Sequence, residues 1–399
     1  MDPAITTLCV LAVAAFLFVT ELIPLAVTAM AACTALGILG VLPAKQVYAG
    51  LSNSTVVLFG GMFVIGAAMF KTGLAETIGL AVVRKAGTKE VPLMGAIMLV
   101  TIILSSVSSN TGTVACLMPV VIGIANAANI PASKELMPLA VAANVGGTIT
   151  MIGTPPNVIV TGALSAAGLP SFGFFEFALI GVPLSVIVLV YMLTIGRKTI
   201  PAKSAGDMDE EAVKAAKEEA GASDDNAPKS KTKMWISGLI LIGVVVAMAL
   251  NLKTVPLQTA AVTGAILCVI TGCLKEKEAY AGIDWVTIFL FAGMLSVATA
   301  MDKTGAGKLI ADTVVGMMGE HPNPIVLCAV LYLISNVLTQ FMSNTASAAL
   351  LAPIGISIAQ SIGADPKPVL MAIGIAASMA YATPMATPPN TLVVRARQI

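Results

Sequence analysis

The chain has 399 residues, of which 57% are hydrophobic and 11% are charged, and its mean hydropathy is +0.94. Soluble domains carry about 25% charged residues and seldom build one core beyond ~250–300 residues, so this composition excludes a soluble enzyme. The net charge of +1 excludes a typical nucleic-acid-binding protein, and six cysteines in apolar runs without a C-x-x-C exclude a disulfide scaffold. We therefore expect an all-α polytopic membrane protein.

The apolar runs predict the helices, because a membrane-spanning helix needs ~20 mostly apolar residues. No positively charged segment precedes the first run, so we interpret it as a span and not as a cleaved signal peptide. A polar stretch at 197–233 contains eight acidic and eight basic side chains, which predicts a hydrated linker. In chain order the apolar runs lie at about 5–22, 23–42, 55–71, 91–108, 112–129, 138–153, 158–166, 174–196, 234–251, 255–273, 284–301, 325–342, 345–362 and 367–386.

The linker separates two halves of the chain that resemble each other. A shift of 232 residues aligns residues 23–75 with the second half without a gap, and the shift becomes 234 and then 233 further along. We therefore predict a first repeat at 1–196, a polar cytoplasmic linker at 197–233 and a second repeat at 234–399. The matching groups include Gly61-Met62 with Gly293-Met294, Lys71-Thr72-Gly73 with Lys303-Thr304-Gly305, and Ser109-Asn110-Thr111 with Ser343-Asn344-Thr345.

Basic residues in short loops predict how the two halves insert, because cytoplasmic loops are rich in Lys and Arg. Arg84, Lys85, Lys89 and Lys134 flank the first predicted hairpin, whereas the matching loop at 320–321 has an acid and a histidine and no nearby Lys or Arg. We expect the first hairpin and the linker on the cytoplasmic side, and the second hairpin and the N-terminus outside. Halves of opposite topology are typical of inverted-repeat secondary transporters.

Each half has an apolar run that stops at a short polar tip and restarts, which predicts a re-entrant helical hairpin. The first hairpin, at about 91–129, has its tip at 105–113, and the second, at about 325–362, has its tip at 339–347. Non-helical backbone is tolerated at membrane depth only where protein or a water-filled cavity satisfies its polar groups. One Ser-Asn-Thr sequence is often only a turn or a helix cap, but two copies at matching positions favour a binding site.

The residue types at the tips suit a small cation and an anion. Carbonyls freed at the end of the first helix, hydroxyls and the Asn amide oxygen are hard donors for a small cation. The restarting helix presents free N–H groups and the positive end of its dipole, which favour an anion. One tip can therefore bind a sodium ion on one side and a carboxylate or sulfate oxygen on the other.

Two Thr-Pro-Pro-Asn segments, at 154–157 and 387–390, interrupt helices at matching positions of the repeat. Proline lacks an N–H and clashes with the preceding turn, so the carbonyls of Gly153 and Ala386 are left free to bind a cation. One such segment is explained equally well by a kinked helix as by a cation-binding break, but two at matching positions favour the cation-binding break. Asn144 and Gln340 lie nearby and are further candidates to line the sites.

At these motifs the sequence resembles the divalent anion/sodium symporter (DASS) family of the ion-transporter superfamily. The paired Ser-Asn-Thr and Thr-Pro-Pro-Asn segments carry the resemblance, which with the repeat covers nearly the whole chain. The resemblance implies a homodimer in which a scaffold domain holds an elevator-type transport domain, with sodium as the coupling ion and no other cofactor. Family substrates are C4-dicarboxylates such as succinate, citrate-like acids and sulfate.

The resemblance also implies the binding residues. The first sodium site would use Ser105, Ser109, Asn110 and Gly153, and the second would use Thr339, Ser343, Asn344 and Ala386. The anion would contact Ser109, Asn110, Thr111, Ser343, Asn344, Thr345 and Pro388.

The sequence departs from the family pattern at both ends. Family members often begin with one more span, and the second half stops soon after Asn390, whereas the first half continues through the run at 174–196. We therefore expect the last span of the second repeat to be missing, or its place to be filled by a partner protomer.

These observations favour a sodium-coupled transporter of a small divalent anion, such as a C4-dicarboxylate, in a bacterial inner membrane. A sodium-independent dicarboxylate exchanger or a sulfate transporter of the same fold is the nearest alternative, and an inactive fragment is a more remote one. An intramembrane enzyme would need a nucleophile–base pair or metal ligands in the membrane, and the only histidine, His321, lies in a loop.

Overall fold

The computed structural model describes residues 2–87, 89–200, 230–250, 254–318, 323–383 and 387–396. Within these ranges all regular structure is helical, which confirms the predicted all-α class. A 3-10 turn lies at Ala49–Ser52, and α10 continues through a π-helical turn at Met192–Gly196 into Arg197–Thr199. In chain order the helices are α1 (Pro3–Thr20), α2 (Leu25–Ile38), α3 (Ala44–Val47), α4 (Ser54–Lys71), α5 (Leu74–Ala86), α6 (Glu90–Val107), α7 (Asn110–Ala127), α8 (Ser133–Gly147), α9 (Pro155–Ala166), α10 (Ala178–Tyr191), α11 (Lys231–Ala249), α12 (Leu257–Ile270), α13 (Glu276–Ala281), α14 (Trp285–Thr304), α15 (Ala306–Met318), α16 (Pro324–Leu338), α17 (Asn344–Ser361), α18 (Pro366–Ser378) and α19 (Pro388–Ala396).

Each predicted apolar run overlaps one of these helices. Among the described residues, seven helices are long and apolar enough to cross a membrane: Pro3–Thr20, Ser54–Lys71, Glu90–Val107, Asn110–Ala127, Ala178–Thr199, Lys231–Ala249 and Trp285–Thr304. Most of the predicted linker and the loop with Glu320 and His321 lie outside the described residues.

Among the described residues, five helices lie outside the predicted runs: α3, α13, α19, and the pair α5 and α15, which occupies matching positions of the repeat. Helix α5 buries Ala75, Gly79 and Val83 on one face, while Glu76 lies in its first turn and Arg84 in its last. A search for continuous apolar runs misses such a helix, because its apolar residues recur every three or four positions. Helix α5 packs on the hairpin α6–α7, and α15 packs on α17 of the other hairpin.

The chain folds into two compact units, and each unit contains parts of both predicted repeats. The first unit comprises Met1–Phe59, Pro155–Phe172 and Asp284–Ala386, and the second comprises Gly60–Thr154, Gly173–Ile283 and Thr387–Ile399. The division of the chain into compact units therefore differs from the predicted division into repeats, whose boundaries lie at 196 and 234.

The first unit is built around the hairpin α16–α17 of the second repeat. Helix α18 packs on both arms of this hairpin, and α9, from the first repeat, packs on α17 and α18. In the same unit α2 lies along α14, and the first repeat supplies α1, α2 and α3 to this unit in addition to α9.

The second unit has the same plan with the repeats exchanged. It contains the hairpin α6–α7 of the first repeat, with α8 packed on both arms and α19, from the second repeat, packed on α7 and α8. Each unit therefore combines one hairpin, the helix that follows it, and the Thr-Pro-Pro-Asn helix of the other repeat.

A close backbone contact between small residues of two helices is found at matching repeat positions of the two units. A Cβ added to Gly61 of α4 would lie 2.8 Å from the carbonyl carbon of Ala261 in α12. A Cβ added to Gly293 of α14 would lie 2.7 Å from the carbonyl carbon of Ala29 in α2. Small residues let membrane helices pack backbone to backbone, where dispersion and not water exclusion drives association.

We predict that Gly61→Ala destabilises the protein although alanine is the better helix former. The added methyl group has to push α4 and α12 apart, and such overpacking costs about 1–3 kcal/mol. Gly60→Ala is the matched control, because a Cβ on Gly60 meets no atom within 4 Å. Melting in detergent should show a lower midpoint for Gly61→Ala only; equal midpoints for both variants would contradict the packing described.

Candidate functional site

The tip of the first hairpin is a sharp break between two helices of the second unit. Helix α6 ends at Val107 and α7 begins at Asn110, so two residues make the turn. Ser109 caps α7: its backbone is extended (φ −62°, ψ 133°), and its Oγ accepts a hydrogen bond from Gly112 N–H at 3.4 Å. Because one side chain satisfies only one of the free donors, the start of α7 keeps N–H groups available to a ligand.

Ser105 and Asn110 connect this tip to two backbone carbonyls. Ser105 Oγ donates to Ala143 O at 2.7 Å and also lies 2.7 Å from the Asn110 amide. With the amide nitrogen facing Ser105, Asn110 Nδ2 donates to Ser105 Oγ at 2.7 Å and to Gly153 O at 2.9 Å. A side-chain hydroxyl, an amide and two carbonyls therefore meet at one buried point.

The loop after α8 passes very close to the end of that helix. A Cβ on Gly153 would lie 2.4 Å from Gly147 O, and a Cβ on Gly147 would lie 2.9 Å from Gly153 O, so both positions require glycine. Thr150 Oγ1 donates to Ser106 O and accepts from Gly153 N–H at 3.1 Å. These contacts hold the Gly153 carbonyl beside the tip.

The tip of the second hairpin, in the first unit, repeats this construction. Helix α16 ends at Leu338, and α17 begins at Asn344. Ser343 caps α17 in the same way as Ser109 caps α7, with φ −61° and ψ 145°, and its Oγ accepts from Ala346 N–H at 3.1 Å.

The polar contacts of the second tip occupy the same repeat positions as those of the first. Thr339 Oγ1 lies 2.7 Å from Asn344 Oδ1 and 2.8 Å from Ala377 O. Neither the Ala143 nor the Ala377 carbonyl was predicted; a main-chain ligand leaves no residue-type signal, although the 234-residue shift relates these positions. The matched sets are Ser105, Asn110 and Ala143 in one unit and Thr339, Asn344 and Ala377 in the other.

The second tip has an additional clamp formed by Gln340. Its Nε2 donates to Met379 O at 3.2 Å and to Asn336 O at 3.0 Å, and its Oε1 accepts from Ala382 N–H at 2.9 Å. Its backbone carbonyl accepts from Thr383 Oγ1 at 2.6 Å. The side chain that was a candidate to line the site is thus bonded to the backbone of the loop after α18.

The Thr-Pro-Pro-Asn segments lie on the opposite hairpins. In the second unit Asn144, 1% exposed, donates from Nδ2 to Asn390 Oδ1 at 3.1 Å and to Thr387 Oγ1 at 3.3 Å. In the first unit Asn157 is buried with its Oδ1 beside Gly374 of α18. Each Asn of the motif therefore packs on the helix that follows the other repeat's hairpin.

The remaining predicted contact residues are partly accessible. Thr111 and Thr345 lie half-buried in the first turns of α7 and α17, and Pro388 is exposed at the start of α19. Ala386, predicted to bind the second sodium ion, lies outside the described residues.

The basic residues at matching helix ends have local partners. Lys71 forms an ion pair with Glu278 at 3.3 Å in the second unit, and Lys303 donates to Gln46 Oε1 at 2.6 Å in the first. They support helix ends and do not supply positive charge to the tips, whose segments 105–113 and 339–347 contain no Lys or Arg.

Helices that are apolar enough to cross a membrane, together with polar breaks at two matched hairpin tips, are typical of a multi-pass membrane transporter. The family model of citrate transporters matches residues 15–369, and the chain belongs to this family. The chain is 30% identical to an uncharacterized transporter of Haemophilus influenzae, over 98% of this chain and 85% of that protein. It is 27% identical to the sodium-dependent dicarboxylate transporter SdcS of Staphylococcus saprophyticus, over 94% of this chain and 77% of that protein.

A solved structure supports the fold. The YdaH transporter of Alcanivorax borkumensis, described as having an unusual topology, is similar with a TM-score of 0.58 over 89% of this chain and 80% of that one, at 14% identity. The comparisons confirm the predicted resemblance, and they show a transporter and not an enzyme.

We predict that Gln340→Leu loosens the loop at 379–383. The substitution removes two side-chain hydrogen bonds to this loop, to Met379 and Ala382, each worth about 1 kcal/mol net, so local opening should become at least ~10-fold more frequent. Hydrogen–deuterium exchange of peptides containing Ala382 measures this directly. Gln360→Leu, at an exposed position of α17, should leave that exchange unchanged; equal exchange rates in wild type and Gln340→Leu would refute the clamp.

Proposed function

We propose that this transporter couples the movement of a small divalent anion to sodium, with a C4-dicarboxylate such as succinate as the substrate. The observation that carries the proposal is the doubled set of a hydroxyl, an Asn amide and a backbone carbonyl at the hairpin tips. The name of the relative SdcS, a sodium-dependent dicarboxylate transporter, agrees with this proposal.

The proposed cation sites follow from an excess of oxygen acceptors over protons. Thr339 Oγ1 is within 2.8 Å of two oxygens, Asn344 Oδ1 and Ala377 O, but its hydroxyl has one proton to donate. A small hard cation satisfies all three oxygens at once, because such cations prefer neutral and carboxylate oxygens. We assign the second sodium site to Thr339, Ser343 and Asn344, with Ala386 as a further ligand.

At the first tip the Asn110 side chain can present either its amide nitrogen or its amide oxygen to Ser105 and Gly153. With Nδ2 towards Gly153 O and Ser105 Oγ, the cluster is closed by hydrogen bonds. With Oδ1 in that place, three oxygens face one another, which is favourable only around a cation. In the proposed sodium site at Ser105, Ser109, Asn110 and Gly153, the Asn110 amide therefore presents its oxygen to the ion.

The proposed anion contacts are Ser109, Asn110, Thr111, Ser343, Asn344, Thr345 and Pro388. The starts of α7 and α17 offer free N–H groups and the positive ends of the helix dipoles. Since no basic side chain lies in either tip, bound sodium has to offset the charge of the anion. Sodium should therefore bind first, and anion affinity should rise with sodium concentration.

We also propose that the protein works as a homodimer with an elevator-type movement of its transport domain. Both features follow from the family resemblance. Crosslinking in the membrane and single-molecule distance measurements between labelled sites test them independently of the substrate.

Uptake of radiolabelled succinate into proteoliposomes tests the function directly. An inward sodium gradient should drive accumulation, and an equal potassium gradient should not. Competition by citrate and sulfate then ranks the substrates. Counterflow that is indifferent to sodium would favour the exchanger, stronger competition by sulfate than by succinate would favour the sulfate transporter, and no transport of any of these anions would overturn the proposal.

We predict that Ser105→Ala and Thr339→Val raise the sodium concentration for half-maximal uptake by about tenfold each. Each removes one oxygen ligand, and a hydrogen-bonding group that serves a charge contributes about 1.5–3 kcal/mol, of which 1.4 kcal/mol is tenfold in affinity. Ser52→Ala and Thr313→Val are the matched controls at exposed positions. Unchanged sodium dependence in both tip variants would refute the cation sites.

A further inference from the structure

A buried carboxyl group outside both tips has no hydrogen-bond partner. Glu135 lies in the first turn of α8 in the second unit and is 0% exposed. Among the described residues, neither of its carboxyl oxygens has a hydrogen-bond partner. It precedes Ala143 by about two helical turns, or roughly 12 Å at ~1.5 Å per residue, and it lies outside the seven candidate spans.

The neighbouring ion pair does not neutralise this carboxyl group. Lys134, next to it in the chain, is bonded to Glu90 of α6 at 3.1 Å. An ionised carboxylate without a partner costs several kcal/mol when it is buried, so proteins usually hold such a group neutral. The start of α8 favours a negative charge by only ~0.3–1 kcal/mol, which is too little to offset that cost.

Few other ionisable groups lie on the helices that pack against α8. Helix α6 contributes Glu90 and α7 contributes Cys116. On the side of α10 they are Tyr191 and, after the π-helical turn, Arg197 and Lys198, and on α19 the ionisable residue is Arg395, whose side chain lies outside the described set. The charges that act on Glu135 are those of Glu90 and Lys134.

We propose that the Glu135 carboxyl group is a proton-binding site, separate from the transport tips, and that loss of its proton loosens the packing of α8 against α6. A protonated carboxyl group is neutral, so it needs no counter-ion at this position. Because α8 also carries the Ala143 carbonyl that accepts from Ser105, the proton supports the geometry of the first tip.

The direction of the pH effect follows from the electrostatics of the site. The pKa of Glu135 is raised from 4.5 to about 8, chiefly by burial and also by the negative charge of Glu90, while the positive charge of Lys134 opposes the shift. The folded protein therefore holds this proton more tightly than the unfolded chain. The stability that it contributes is fully present below pH 4.5, is lost as the pH rises to about 8, and changes no further above that.

Melting of the full-length protein in detergent between pH 5 and pH 9 tests the site. The wild-type midpoint should fall by several degrees across this range, whereas Glu135→Gln, a neutral isostere of the protonated acid, should lose that fall and melt above wild type at pH 8.5. Glu276→Gln, at an exposed position of α13, should keep the wild-type profile. An unchanged pH profile in Glu135→Gln would overturn the proposal, and so would an equal destabilisation at every pH.

Two neighbouring variants test the same site even if Glu135→Gln does not fold. Glu90→Gln should move the wild-type fall to lower pH, because it removes a negative charge that favours the protonated form. Lys134→Met should move it to higher pH. The infrared band of a protonated carboxylic acid should be present at pH 7 in wild type; absence of this band, or shifts in the opposite directions, would refute the site.

Discussion

The structure depends on one constraint: a helix that breaks in an apolar solvent has to find partners for the backbone groups that the break sets free. At each hairpin tip a serine caps the restarting helix, and a hydroxyl at the end of the first arm is bonded to the helix that follows the hairpin. These partners are short side chains and main-chain carbonyls, so the tips are rich in oxygen and contain no charge. The residues that stabilise the break are therefore the same residues that are suited to bind ions.

Each hairpin depends on both halves of the chain, because the Thr-Pro-Pro-Asn helix of each repeat packs in the compact unit that contains the other repeat's hairpin. Asn144, of the first repeat, holds Asn390 and Thr387, of the second, and Asn157 is buried on the helix after the second hairpin. The Thr387–Asn390 segment thus satisfies polar groups against the first repeat. In the second unit, a change in the Thr387–Asn390 segment therefore acts directly, through these hydrogen bonds, on the helix that packs on the first hairpin.

Apolar runs predicted most of the helices, because in this composition length and hydropathy decide what can be helical. They missed the short helices α3 and α13, the helix α19 that begins within the second Thr-Pro-Pro-Asn segment, and α5 and α15, whose apolar residues form a stripe and not a run. Repetition indicated Ser105, Asn110, Thr339 and Asn344, but not the carbonyls of Ala143 and Ala377, since any residue supplies a carbonyl. The burial of Glu135 could not be predicted either. Beside Lys134 in a polar stretch, its sequence context is that of a solvated charge, and only the packing of α8 shows that it is buried.

The absence of basic side chains at the tips also bears on how a transporter returns without its substrate. A fixed arginine would bind a dicarboxylate well, but it would leave the empty site with a positive charge to carry through an apolar region, which is costly. Under the proposed coupling, two sodium ions and a divalent anion add to zero, and the empty tips are neutral as well. Both the loaded and the empty forms then avoid that cost, whereas a form with only the anion or only the cations bound would not. Sodium coupling is in this view a consequence of building an anion site from hydroxyls, amides and helix ends.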